Sequence, residues 1–151
     1  MNISRISREG LKMSGPRRHV GRVSLLLVAL TCPLAACGST DGREADVSAA
    51  ATSFERALRG GDPTAVCAAL APQTRRETEE SERKPCADAV AGLNLPAGEP
   101  LDGVDVYGRQ ARAVLASDTL FLSQFPDGWK IVAAGCRPRS GQPYQCAVKG
   151  G

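Results

Sequence analysis

The sequence predicts an α+β fold, helices packed on a four-stranded antiparallel sheet, and three observations predict it. Apolar residues recur at helical spacing from Val47 to Leu58. After a Gly/Pro-rich connection, Asn94–Pro100, the apolar period falls to two. Short turn sequences then separate four β-prone runs. A shift from period 3.6 to period 2 marks amphipathic helices followed by half-buried strands. With 42% apolar and 23% charged residues in 151, the composition is that of a globular chain.

The first 36 residues are set apart by charge and hydropathy. They hold six basic residues (Arg5, Arg8, Lys12, Arg17, Arg18, Arg22) and one acid, Glu9. An apolar run, Val23–Leu30, follows this leader. It is too short for the roughly 20 residues of a membrane-spanning helix. Basic leader, short apolar core and small residues in that order describe an export signal. Met13 offers an alternative start to Met1, and Cys32 is an apolar residue of the signal core. Arg17-Arg18 is followed by nothing that supports twin-arginine export.

The segment ends in Leu34-Ala35-Ala36-Cys37, which resembles the lipobox of bacterial lipoproteins. The resemblance implies cleavage between Ala36 and Cys37 and a diacylglyceryl group on the Cys37 thiol. Two or more acyl chains hold a protein stably on a membrane where one does not. The expected partner is therefore membrane lipid, through acylated Cys37, on the extracytoplasmic face.

Beyond the cut, residues 37–45 are small and polar and are expected to form a flexible tether. The rest, 46–151, is one domain, carrying with the tether 13 basic and 15 acidic residues, a formal −2. That balance excludes a basic nucleic-acid-binding domain. The single histidine, His19, lies in the leader, so removal of that segment leaves no histidine for a Ser-His-Asp triad or an imidazole metal site.

Within the domain, Asp46 is the expected N-cap of a first helix whose stripe is Val47, Ala50, Ala51, Phe54, Ala57 and Leu58. Gly60-Gly61 stops it. Asp62-Pro63 starts a second, with Val66, Ala69 and Leu70 turned inward. Pro72 opens a polar segment to Arg83, expected to be a solvated flank. Ala87–Leu93 adds one or two helical turns. Val104/Val106, Ala111/Ala113/Leu115, Leu120–Phe125 and Trp129–Ala134 are the four strands. Strand alternation places Trp129, Ile131 and Ala133 on one face and Lys130 and Val132 on the other. Trp129 is expected as core against the first helix.

Cys67-Ala-Ala-Leu-Ala-Pro72 and Pro126-Asp-Gly-Trp-Lys130, in a helices-then-sheet order, resemble small bacterial lipoproteins of the NTF2-like (cystatin-like) superfamily. The resemblance covers about residues 46–136. It implies a strongly curved sheet and, in the superfamily's enzymes, an acid or base inside its cone. Asp105, Tyr107 and Asp118 are the residues to inspect for that role.

Four further cysteines, Cys67, Cys86, Cys136 and Cys146, allow three disulfide pairings. An even count outside the cytoplasm argues for bridges. Proximity in sequence favours Cys67–Cys86 and Cys136–Cys146. A zinc site would need a Cys-x-x-Cys pair that the chain lacks. No Gly-rich phosphate loop, metal motif or nucleophile elbow occurs, and no cofactor is expected. Carboxylate pairs (Glu79 and Glu82, Asp102 and Asp105) and the basic tail (Arg137, Arg139, Lys149) fall in polar stretches, where a solvated surface is the default. The expected function is a membrane-anchored, non-catalytic binding or accessory module for an envelope protein or a small apolar ligand. The alternatives are a small envelope enzyme with an acid in a cavity and a plain spacer.

Overall fold

The computed structural model describes residues 40–97 and 100–150. The expected export signal, Ala36, Cys37 and the first part of the tether lie outside them. Four helices come first: α1 (Thr40–Arg59), α2 (Pro63–Ala69), α3 (Pro72–Glu82) and α4 (Cys86–Gly92). Seven strands follow: β1 (Leu101–Tyr107), β2 (Gln110–Leu115), β3 (Thr119–Phe125), β4 (Gly128–Ala134), β5 (Arg137–Arg139), β6 (Gln142–Gln145) and β7 (Val148–Lys149). The fold is α+β, with an antiparallel five-stranded sheet in the order β1-β2-β3-β4-β7 and a separate β5-β6 ribbon.

Helix α1 begins at Thr40, not at Asp46, so residues 40–45 are helix and not tether. The added turns make a contact outside the local pattern. The Arg43 guanidinium lies 5.7 Å from the centre of the Trp129 ring, a cation–π contact. Asp41 sits in the first turn, where an acid complements the helix dipole. At the other end Gly61, with φ of 61°, lets the chain turn out of the helix. The Asp62 Oδ1 then accepts from the Ala65 N–H at 3.0 Å and caps α2.

The core lies between α1 and the sheet. Val47, Ala51 and Phe54 from α1 meet Ala111, Ala113, Leu120, Leu122 and Ile131 from the strands. Pairs Ala111↔Leu122 and Ala113↔Leu120 set the inner face. Trp129 is buried in this cluster as expected, and its indole N–H has no hydrogen-bond partner among the described residues. The inward residues of β2 are Ala111, Ala113 and Leu115. The sheet is not strongly curled, contrary to the curvature expected.

Three further expectations are corrected. The face of β4 is not Trp129, Ile131 and Ala133: Leu122 pairs with Ile131 but Phe121 with Ala133, so β4 carries a bulge and Ala134 turns inward instead. The sheet has a fifth strand because β7 pairs with the end of β4, burying Val148. Gly135 permits that return. It has φ of 66°, and a Cβ there would stand 2.9 Å from that of Ala147. Finally, α3 is not solely a solvated flank. Thr74 and Thr78, one turn apart, are buried, and the Thr74 hydroxyl donates to the Val132 carbonyl at 3.4 Å.

Candidate functional site

The ends of α1, α2 and α4 enclose an apolar cleft of about 250 Å³. Ala57, Leu58, Val66, Val90 and Leu95 form its wall, with Asp62 and Asn94 among its polar lining. The Cys67–Cys86 disulfide fastens α2 to α4 (S–S 1.99 Å) and so holds two walls together. Asp62 is engaged in capping α2, and the Asn94 amide donates to the Gly92 carbonyl at 3.3 Å. The cleft thus offers apolar contact with no acid–base pair. Its volume falls below the ≈ 300–1,000 Å³ usual for small-molecule sites.

A second cleft, of about 500 Å³, opens further along the sheet side of α1, between Ala51, Thr52, Glu55 and Arg59 and the β1–β2 residues Leu101 and Leu115. Glu55 is 2% exposed. A carboxylate with so little water around it is the one buried acid that any of these clefts brings to its lining, and the sequence reading missed it. The signal was present: Glu55 stands one turn after Ala51, on the flank of the apolar stripe.

The residues inspected as an acid or base are not brought together. Asp105 faces Arg112 across the β1–β2 pair, with two bonds of 2.7 and 3.0 Å to one oxygen. This carboxylate, together with Tyr144, raises the Arg112 pKa further above its ordinary value. Tyr107 is 65% exposed. Asp118 is buried at the opposite end of the sheet. Its Oδ1 accepts from the N–H groups of Thr119 and Cys136, both at 2.6 Å, and its Oδ2 from that of Gly135 at 3.0 Å. Burial pushes the Asp118 carboxyl up, and these donors with Arg137 pull it partly back. Asp118 is therefore a clasp between the β2–β3 turn and the start of the ribbon.

Cys136 and Cys146 are bridged as expected (S–S 2.03 Å). Arg137 and Arg139 lie exposed on β5 and Lys149 on β7, with no common pocket among those described above. Glu79 accepts from the Arg75 Nε at 3.3 Å and from the Cys86 N–H at 3.2 Å, which makes it a link between α3 and α4. Among the described residues no group of three or more His, Cys, Asp or Glu could hold a metal ion, and no helix is long and apolar enough to cross a membrane. No family model, no curated protein and no solved structure matches the chain.

Proposed function

We propose that this protein is an extracytoplasmic lipoprotein, anchored by acylated Cys37, whose helical cleft receives an apolar side chain of a neighbouring envelope protein. The apolar cleft carries this reading: it is disulfide-braced and has no acid–base pair. At about 250 Å³ it suits one anchor residue of a partner better than a drug-sized ligand. Anchoring is supported by Leu34-Ala35-Ala36-Cys37 after a basic leader and apolar core. An NTF2-like relationship is supported by element order and by the two sequence stretches at Cys67 and Trp129. The uncurled sheet supports a reading in which binding uses the helices and not a cone.

Two measurements test the reading. Cys37→Ala should move the protein out of the membrane fraction or leave it as precursor. A photo-crosslinking residue at Ala91, on the cleft wall, should form a discrete adduct with an envelope protein in cells, and Leu58→Glu should abolish it. An adduct indifferent to Leu58→Glu would refute the cleft as the contact.

Glu55 favours a second reading, a small envelope enzyme using the 500 Å³ cleft. In that case Glu55→Gln would abolish turnover while leaving the fold and the Ala91 adduct intact.

A further inference from the structure

The start of α1 changes what the anchor implies. With the helix beginning at Thr40, only two residues separate it from Cys37. Chain advances at most about 3.6 Å per residue, so the start of α1 at Thr40 lies within roughly 11 Å of the acylated position. No long tether is left to let the domain tumble away from the bilayer, and one end of it must face the lipid.

That end is identifiable. Arg43, in the first turn of α1, lies over Trp129 at the start of β4. Trp129 pairs across the sheet with Gln124. Gln124 in turn bonds to the β1–β2 turn, donating from its N–H to the Arg109 carbonyl at 2.9 Å and accepting from the Arg109 Nη2 at 2.6 Å. The β1–β2 and β3–β4 turns and the N-terminus of α1 therefore share one end. Tyr107, the one large hydrophobic side chain that is exposed among the described residues, stands there at 65%, two positions from Arg109. An aromatic ring with a polar tip and an arginine with an apolar stem both suit the membrane–water boundary.

We propose that this turn end lies in the headgroup layer of the bilayer, with Tyr107 and Arg109 as the contacting side chains; the proposal rests on the reading of Cys37 as the lipid-bearing residue. The charges at this end balance: Arg43, Arg109 and Lys130 against Asp41, Glu44 and Asp127, of which Lys130 and Asp127 form an ion pair at 3.2 Å. Docking therefore needs no anionic lipid, and phosphatidylcholine suffices. The orientation has a consequence for binding. Helix α1 runs away from the lipid, and at 1.5 Å per residue Ala57 stands about 25 Å beyond Thr40. The apolar cleft thus opens away from the membrane, within reach of another protein.

The test uses the full chain, processed in a native-like host and reconstituted in phosphatidylcholine vesicles. Nitroxides are placed at Tyr107→Cys and, as a control at the opposite end of the sheet, at Ser117→Cys. The two ends are about 20 Å apart along the strands. The label at 107 should collide more with oxygen and several-fold less with a water-soluble nickel chelate than the label at 117. Substituting anionic lipid for half of the phosphatidylcholine should leave that ratio unchanged. Equal, water-like exposure of both labels, with intact mass showing an acylated Cys37, overturns the orientation and leaves the anchor standing. A mass showing unmodified Cys37 overturns both.

Discussion

The two disulfides close loops of similar entropic cost in regions that use them differently. Cys67–Cys86 joins α2 to α4, and Cys136–Cys146 closes the β5–β6 ribbon ahead of β7. With sequence separations of 19 and 10, loop-closure entropy assigns each about 3 kcal/mol. Entropy alone cannot rank them. The C-terminal region has other fastenings: three amides held by Asp118, backbone pairing of β7 with β4, and Val148 in the core. The helical lobe is held through packing of short helices around Val66 and Val90. A covalent bond matters most where the native contacts around it are least redundant.

The core shared by both regions sets the upper bound for this comparison. Trp129→Ala should cost roughly 3–5 kcal/mol, the loss expected for a buried large aromatic, read by urea unfolding. A loss below about 1 kcal/mol would remove Trp129 from the core that both regions lean on.

The next largest effect should come from Cys67→Ala with Cys86→Ala, about 3 kcal/mol, and it should also loosen the apolar cleft. Removing Cys136 and Cys146 in the same way should lower the melting temperature by less, because Asp118 and β7 still hold that segment. Equal or reversed shifts would break the comparison outright.

Asp118→Ala sharpens it. The Cys136 N–H loses its buried acceptor, at about 1–3 kcal/mol, while the Thr119 N–H keeps the Cys136 carbonyl at 3.2 Å and the Gly135 N–H is only part-buried. Combined with loss of Cys136–Cys146, the cost should exceed the sum of the two, since each fastening supports the other. Strict additivity in a double-mutant cycle would show that they act independently.

The smallest effect is one of pH. Burial raises the Asp118 carboxyl above 3.8, so the folded chain takes up a proton before the unfolded chain does. Stability from that proton is full below 3.8 and is lost as pH rises through the folded value. The stability of the native chain relative to Asp118→Asn should fall across that window and level off toward neutral pH. A rise would mean that the three donors outweigh burial.

Much of this architecture was legible in local pattern. The stripe from Val47 to Leu58, the stop at Gly60-Gly61, the alternation at Ala111, Ala113 and Leu115, and the Pro126-Asp127-Gly128 turn each carry their signal within a few residues. Backbone geometry alone reads them, as period 3.6, period 2 or a residue suited to a turn. The pairing of the cysteines by proximity and the inward Trp129 were legible for the same reason.

What the sequence by itself determined, then, was the helices-then-sheet order, the α+β class and the apolar stripes of α1 and β2. Tertiary structure alone decided the rest. Helix α1 starts at Thr40, and its Arg43 lies over Trp129, far away in the chain. The bulge that exchanges Ala133 for Ala134 arises from register with β3. Val148 becomes a strand residue only where the chain, turning at Gly135, comes back to the end of β4. Glu55 is buried, and lines a cleft, only because β1 and β2 close over the flank of α1. Each of these depends on a contact between residues distant in sequence, and such a contact leaves no mark on the local periodicity from which a chain can be read.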